Sequence, residues 1–322
     1  MKGKKMEVVI SGISPGTRSL SLQNPVIAAS GTFGFGREYG DYVDLNQLGG
    51  IAVKGLTPQM KEGNPVPRIV ETPMGMLNSI GLQNPGIDAF IEEEMPFLRK
   101  WNLAVIANIS GNSEEEFMEM AQKLDKVQGI HGLEVNVSCP NVHRGGEVFG
   151  TNPQLVRKIT SSVRNVTTLP LIVKLSPNVT DIGEVALEAE KGGADAVSLI
   201  NTLLGMEIDI HQQRPVLKRV FGGLSGPAVK PVALRQVWQV YSVVSIPIIG
   251  MGGIMNGSDA IAFLLAGAAA VSIGTANFVQ PTVTVDVIRE IEEYMNRYKY
   301  DHVSQLTGLA HRNNDLDAQK GE

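Results

Sequence analysis

Cysteine is almost absent from this chain of 322 residues, which has a single thiol at Cys139. One cysteine excludes an intrachain disulfide, and it supplies too few ligands for an iron–sulfur cluster. The pattern suits a reducing compartment, so we expect a cytoplasmic protein. Histidine is also scarce, with 5 residues. Because carboxylates do not cluster with the few histidines, we expect no metal site.

Long hydrophobic runs and an excess of one charge are missing as well. Residues 1–12 carry positive charge but lack the apolar segment of a signal peptide. The stretch from Ala260 to Ile273 is interrupted by Gly267 and is too short to cross a bilayer. The net charge of −5, with both signs interspersed, argues against a nucleic-acid or anionic-membrane partner. The remaining composition, 43% hydrophobic and 19% charged, is typical of a globular protein with a large core.

Short apolar runs alternate with segments of helical length along the chain. Runs without polar alternation are typical of parallel strands covered on both faces. The eight predicted strands are Pro25 to Ala29, Gly50 to Lys54, Leu103 to Ile109, Leu133 to Val137, Leu171 to Leu175, Ala196 to Ile200, Ile246 to Gly250 and Ala269 to Ile273. They predict an α/β protein, a (β/α)₈ TIM barrel in one domain over residues 1–310. A doubly wound sheet is the alternative.

Local signals divide the chain further. Ser113 and Glu116 have the spacing of a capping box at the start of a helix. Two connections, Gly55 to Pro85 and Asn201 to Lys230, are too long for simple turns, so we predict functional loops there. The polar tail from His311 to Glu322 is predicted to fray.

Polar residues and glycines follow the predicted strands. Active residues of (β/α)₈ barrels lie at the carboxyl ends of the strands. The residues at those ends are Lys54, Asn108, Asn136, Cys139, Lys174, Asn201, Thr202, Gly252, Gly253, Gly274 and Thr275. Amides and lysines dominate this set, which disfavours a two-carboxylate hydrolase. The glycines that follow the last two strands match the usual phosphate site of such barrels.

A plainer interpretation exists for each of these residues. A lone cysteine is often buried filler, a lysine at a strand end is often a solvated charge, and paired glycines often form turns only. Cys139, however, lies just past a strand end, between a polar residue and a proline. Lys54 and Lys174 both follow apolar strands at equivalent ends, which weakens the plain interpretation for the lysines.

Seven ordered segments resemble those of class 1 dihydroorotate dehydrogenases. The resemblance runs from about Asn24 to Phe278 without a large gap. So many motifs in order are not expected by chance. The segments are NSIGLQNPG (78–86), NVSCPN (136–141), KLSPN (174–178), INT (200–202), GGLSGPA (222–228), IIGMGGI (248–254) and IGTANF (273–278).

This resemblance implies FMN in the barrel and oxidation of dihydroorotate to orotate in pyrimidine biosynthesis. Cys139 would remove the C5 proton while the C6 hydride passes to N5 of FMN. Lys174 would face the flavin where reduction makes it anionic. The implied substrate contacts are Lys54, Asn78, Ser79, Ile80, Gly81, Leu82, Asn136, Asn141, Asn201 and Thr202. The implied flavin contacts are Ser30, Lys54, Asn108, Asn136, Lys174, Ile200, Gly226, Gly252, Gly253, Gly274 and Thr275.

The segment SGTFGFGREY, Ser30 to Tyr39, is similar to the NAD-linked class 1B catalytic subunits. That likeness implies a heterotetramer, in which a central homodimer of this chain binds electron-transfer subunits carrying FAD and a [2Fe–2S] cluster. Class 2 is disfavoured because the chain has neither a membrane-associated segment nor a serine base. The alternatives are a class 1A fumarate-linked homodimer, a related FMN-barrel pyrimidine reductase, an aldolase with a Schiff base on Lys174, and a flavin- or phosphate-binding module without turnover.

Overall fold

The computed structural model describes residues 5–138 and 149–320. Strands and helices alternate through most of this part of the chain. Its sixteen strands are β1 Val8–Ile10, β2 Leu20–Leu22, β3 Val26–Ala28, β4 Gly50–Ala52, β5 Ile69–Thr72, β6 Gly75–Asn78, β7 Ala104–Ile109, β8 Gly132–Asn136, β9 Leu171–Lys174, β10 Ala196–Leu199, β11 Leu203–Met206, β12 Ile208–Asp209, β13 Arg214–Pro215, β14 Phe221–Ser225, β15 Ile248–Met251 and β16 Ala270–Ile273.

Eight of these strands close a parallel barrel. Their order around it, β3-β4-β7-β8-β9-β10-β15-β16, follows the order in the chain. This arrangement confirms the predicted (β/α)₈ barrel and excludes the doubly wound sheet, which would be open. Each barrel strand falls at a predicted position. The last but one strand was predicted to start at Ile246, but β15 begins at Ile248, because Pro247 has no amide hydrogen to donate to a neighbouring strand.

Helices cover the outside of the barrel. The α-helices are α1 Ile87–Ala89, α2 Met95–Leu98, α3 Glu114–Asp125, α4 Pro153–Arg164, α5 Ile182–Lys191, α6 Lys230–Tyr241, α7 Gly257–Leu265, α8 Ala276–Val279, α9 Val283–Tyr298 and α10 Leu309–Lys320. A π-helical turn, Phe90–Glu94, joins α1 to α2, and short 3₁₀ helices span Arg37–Tyr39, Leu45–Gln47, Phe149–Thr151, Pro227–Val229 and Val303–Gln305. Every residue of β9 and β10 is buried, as expected for strands covered on both faces.

The predicted capping box is only half formed. The Ser113 hydroxyl accepts a hydrogen bond from the amide of Glu116 at 3.3 Å. The Glu116 carboxylate, however, accepts from the backbone amide of Asn112 at 2.7 Å rather than from that of Ser113. The helix α3 therefore begins at Glu114, with three acidic residues in its first turn that suit the positive end of the helix dipole.

An unpredicted hairpin covers the amino-terminal end of the barrel. Strands β1 and β2 pair antiparallel, and Leu20 and Leu22 are fully buried. A Cβ atom at Gly50 would lie 3.3 Å from Leu22, and one at Gly132 would lie 3.7 Å from Leu20. Because both glycines begin barrel strands, the hairpin closes the end opposite to the carboxyl ends of the strands.

The two long connections form a second sheet. Strands β5 and β6 come from the first connection and β11 and β14 from the second, in the order β11-β14-β6-β5. Asn78 at the end of β6 pairs with Gly223 of β14. We call these four strands the mouth sheet, because their residues line the cavity at the carboxyl end of the barrel.

The end of the chain differs from its prediction. Residues predicted to fray form the helix α10, which begins at Leu309. The His311 ring stacks on Trp238 with 3.4 Å between ring centroids, which anchors the start of this helix on α6. No helix in the described part of the chain is both long enough and apolar enough to span a membrane.

Candidate active site

A cavity of about 1020 Å³ opens at the carboxyl ends of the barrel strands. This volume lies at the upper end of the range for ligand pockets, about 300 to 1,000 Å³. Every predicted site residue that the structure describes lines it: Ser30, Lys54, Asn78, Ser79, Ile80, Gly81, Leu82, Asn108, Asn136, Lys174, Ile200, Asn201, Thr202, Gly226, Gly252, Gly253, Gly274 and Thr275. Cys139 and Asn141 lie outside the described residues. Ser138, which directly precedes Cys139, lines the same cavity.

Four buried polar side chains from adjacent strands form one connected group, which reaches the cavity through Asn108 and Lys174. We call Asn108, Glu134, Lys174 and Ser198 the floor cluster; each is at most 6% exposed. The Glu134 carboxylate accepts hydrogen bonds from Asn108 Nδ2 at 2.5 Å and from Ser198 Oγ at 2.7 Å. The Lys174 ammonium lies 3.7 Å from the same carboxylate. Because buried charges require partners, this pairing allows Lys174 to keep a positive charge next to the cavity.

Sequence reasoning placed Lys174 and Asn108 in the site but missed Glu134 and Ser198. Glu134 is flanked by Leu133 and Val135, which are fully buried. A single carboxylate within an otherwise apolar predicted strand is unusual, because a buried acid needs a partner. That signal was visible in the sequence, and it indicates an internal cation.

Amide side chains form one wall of the cavity. Asn136 Oδ1 accepts from Asn201 Nδ2 at 3.3 Å and from the backbone amide of Ser138 at 3.2 Å. Asn201 Oδ1 accepts in turn from the amide of Thr202 at 2.8 Å. Ser138 Oγ donates to the carbonyl of Lys174 at 3.2 Å, which ties the end of β8 to β9. Amides both donate and accept, so this wall suits a ligand whose edge carries alternating N–H and C=O groups.

Lys54 lies in a strongly cationic part of the site. Burial lowers the pKa of Lys54 from its usual 10.5, and the positive charges of Arg68 and Lys174 lower it further. A ligand carboxylate beside Lys54 would oppose all three causes, because an anion favours the protonated lysine. This end of the cavity is therefore suited to an anionic ligand.

The segment from Asn78 to Leu82 lines the cavity with five consecutive residues. Gly81 and Leu82 both have positive φ angles, of 77° and 55°. Asn64 Nδ2 donates to the carbonyl of Ser79 at 2.9 Å, and Arg219 donates to Asn64 Oδ1 at 3.1 Å. Asn64 and Arg219 also line the cavity but were not predicted, because their distance from Asn78 in the chain gives no sign of this contact.

Three glycines bring the backbone segments at the far side of the cavity close together. Gly226, Gly252 and Gly253 all have positive φ angles. A Cβ atom at Gly253 would lie 2.8 Å from the carbonyl oxygen of Gly226 and 2.8 Å from Cβ of Lys230. Thr275 Oγ1 donates to Ser225 Oγ at 2.8 Å nearby. Glycine is needed for this approach, which leaves a cradle of backbone groups of the kind that binds phosphate.

Together, the fold and the cavity define a (β/α)₈-barrel enzyme whose site combines a phosphate cradle, an amide wall and buried lysines. A family model described as dihydroorotate dehydrogenase matches residues 16–295. The chain therefore belongs to the dihydroorotate dehydrogenase family, which confirms the resemblance stated from the motifs.

Curated relatives refine this assignment. The chain is 59% identical over 289 residues to the "Dihydroorotate dehydrogenase B (NAD(+)), catalytic subunit" of Thermoanaerobacter pseudethanolicus. The aligned region covers 90% of this chain and 95% of the relative. The proteins of the same name from Desulforamulus reducens and Alkaliphilus metalliredigens are 58% and 55% identical, over 91% and 94% of this chain and 96% and 98% of their own lengths. These relatives confirm the likeness to class 1B catalytic subunits.

Proposed function

We propose that this chain oxidises dihydroorotate to orotate in pyrimidine biosynthesis, as the catalytic subunit of an NAD-linked dihydroorotate dehydrogenase. The observation that carries the proposal is the convergence of the described motif residues around the same cavity. Those residues lie far apart in the chain, from Ser30 to Thr275. The names of the relatives favour NAD over fumarate as the electron acceptor.

The cavity fits FMN, which the family implies. The cradle of Gly226, Gly252 and Gly253 has backbone groups for a phosphate, and Gly274 and Thr275 lie beside it on the cavity wall. Lys174 and Asn108 provide a buried cation and an amide for the polar edge of the flavin ring. Bound FMN supplies the acceptor for the hydride that leaves C6 of the substrate. We therefore propose one FMN-binding barrel domain over residues 1–310.

The remaining lining residues are suited to hold dihydroorotate. The Lys54 ammonium would bind the substrate carboxylate, and the amides of Asn78, Asn136 and Asn201 would bind the ring N–H and C=O groups. The segment from Asn78 to Leu82, which lines the cavity, would cover the substrate and exclude water.

We propose Cys139 as the base that takes the C5 proton, with Asn141 as a further substrate contact. Both follow Ser138, which lines the cavity, so a short continuation of the chain can reach the substrate. A thiolate is a competent base for a proton next to a carbonyl group.

Electrons must leave the reduced flavin, and we propose a partner subunit with FAD and a [2Fe–2S] cluster as the route. The relatives are named as catalytic subunits of an NAD-linked enzyme, a description that implies a further subunit. This chain has one cysteine, which is too few for a cluster, and no GxGxxG motif that opens a βαβ unit. We propose a heterotetramer around a central homodimer of this chain, in the cytoplasm.

An acceptor assay tests this proposal. The purified chain with FMN should reduce an artificial dye with dihydroorotate but should show little activity with NAD or fumarate. Adding the electron-transfer subunit encoded by the same host should confer NAD reduction. Robust fumarate turnover by the chain alone, unchanged by the partner, would contradict the class 1B assignment. A chain that reduces no acceptor with dihydroorotate would contradict the dehydrogenase itself.

A further inference from the structure

The floor cluster contains a residue that the proposed reaction does not use directly. Glu134 is 3% exposed and does not line the cavity, whereas its neighbours Asn108 and Lys174 do. Any influence of Glu134 on a ligand must therefore pass through those two side chains or through its electric field.

The hydrogen bonds of Glu134, which lies on β8, come from the adjacent strand β7 and from β10, two strands away in the barrel. Asn108 of β7 donates to Oε2 and Ser198 of β10 donates to Oε1, so both carboxylate oxygens are engaged. In the strand register, Asn108 of β7 lies directly opposite Glu134 of β8. Ser198 of β10 lies directly opposite Lys174 of β9. The carboxylate is consequently fixed at the centre of four adjacent barrel strands.

The contact with Lys174 is of a different kind. The distance of 3.7 Å from Lys174 Nζ to Glu134 Oε2 exceeds that of a hydrogen bond. The carboxylate attracts the ammonium without tying up its N–H donors in a short bond. Lys174 is thereby held at the floor while its donors stay available to a ligand in the cavity.

We propose that Glu134 is a positioning residue that holds the Asn108 amide and the Lys174 ammonium against the cavity and whose negative charge sets the reduction potential of flavin bound there. This inference rests on the FMN site proposed above. Reduction places negative charge on the flavin beside Lys174, which stabilises it. A carboxylate behind Lys174 offsets part of that stabilisation, so it holds the potential below the value that the lysine alone would give.

The variant Glu134→Gln tests the proposal because it removes the charge and keeps the shape. Its carbonyl oxygen can accept from Asn108, and its amide can donate to the Ser198 hydroxyl. Asp195→Asn is the matched control. Asp195 is fully buried, pairs with Arg164 at 2.8 Å and accepts from the amide of Leu171, at the opposite end of the barrel.

The measurement is the midpoint potential of bound FMN, taken by equilibration with a reference dye in the absence of dihydroorotate. Glu134→Gln should raise the equilibrium constant for two-electron reduction at least tenfold, which corresponds to about 30 mV. Asp195→Asn should leave it within threefold of the wild type, although both variants lose stability. A Glu134→Gln potential that stays within threefold, or that falls, would overturn the proposal.

A second variant covers the case in which Glu134→Gln does not fold. Glu134→Asp keeps the charge but shortens the side chain by one carbon, which withdraws the carboxylate from Lys174 and Asn108, so the potential should rise in the same direction by a smaller factor. An unchanged potential in Glu134→Asp would then overturn the proposal. Anaerobic reduction of the wild type by dihydroorotate, measured in parallel, separates the two claims. If it succeeds while the variants leave the potential unchanged, the inference alone has failed.

Discussion

Replacing Lys174 with methionine should destabilise the flavin-free protein by about 3 kcal/mol. Methionine is unbranched and only one atom shorter than lysine, and it removes the charge, which leaves the buried Glu134 carboxylate without its cation. Breaking a buried ion pair in this way costs about 3 to 5 kcal/mol, and two unit charges near 4 Å apart interact by about 4 kcal/mol at an effective dielectric constant of about 20. We expect the lower end, because Glu134 keeps its hydrogen bonds from Asn108 and Ser198.

The double variant Lys174→Met with Glu134→Gln distinguishes this pairing from a general loss of packing. It removes both charges and should recover about 2 kcal/mol relative to Lys174→Met alone. Urea unfolding of the flavin-free proteins, followed by tryptophan fluorescence, gives the free energies of unfolding. The flavin must be removed first, because a ligand that binds only the folded state adds its own stabilisation. A double variant no more stable than Lys174→Met would refute the energetic coupling of Lys174 and Glu134.

Three further predictions follow from the site. Cys139→Ala should keep its FMN but reduce it with dihydroorotate about 10² to 10⁴ times more slowly in stopped-flow measurements, and a near wild-type rate would contradict the base assignment. Between the lowered pKa of Lys54 in the folded protein and its usual 10.5, the unfolded chain binds more protons than the folded one. The free energy of unfolding therefore rises with pH in that range. Lys54→Met should therefore unfold at higher urea than the wild type at neutral pH, with a difference that shrinks toward pH 10.5, and a constant difference would contradict this. Gly253→Ala should lose FMN affinity at least tenfold in fluorescence titrations because its Cβ would lie 2.8 Å from the Gly226 carbonyl. Gly16→Ala, which has a similar φ but open space around it, should bind FMN as the wild type does.

The barrel was predictable because its strands carry their own signal. Runs such as Leu171–Lys174 and Ala196–Leu199 are mostly apolar without polar alternation, which is typical of a parallel sheet covered on both sides, and every residue in them is buried. The site residues were equally accessible, since a barrel brings the ends of its strands together wherever they lie in the chain.

The mouth sheet was not predictable in the same way. Its strands Ile69–Thr72 and Leu203–Met206 are short and half exposed, so their sequences resemble loops. They pair with β6 and β14 within their own connections, but β6 and β14 pair across the two connections. Pairing between connections depends on tertiary contacts rather than on local pattern. The N-terminal hairpin was missed for a related reason, because Leu20 and Leu22 are buried only by the barrel end that they cover.

The tail shows the limit of arguing from polarity. Residues after His311 read as frayed because few of them are apolar. The stacking of His311 on Trp238 and its contact with the carbonyl of Ala266 at 3.1 Å give the helix a tertiary anchor that composition does not reveal.

The proposed dehydrogenase activity is tested most directly by anaerobic titration of the purified, FMN-loaded chain with dihydroorotate, followed by flavin absorbance. We expect the yellow colour to bleach, orotate to appear in the same amount as reduced flavin, and Cys139→Ala to slow the bleaching without abolishing FMN binding. A bound flavin that dithionite bleaches but dihydroorotate leaves oxidised would contradict the proposed dehydrogenase.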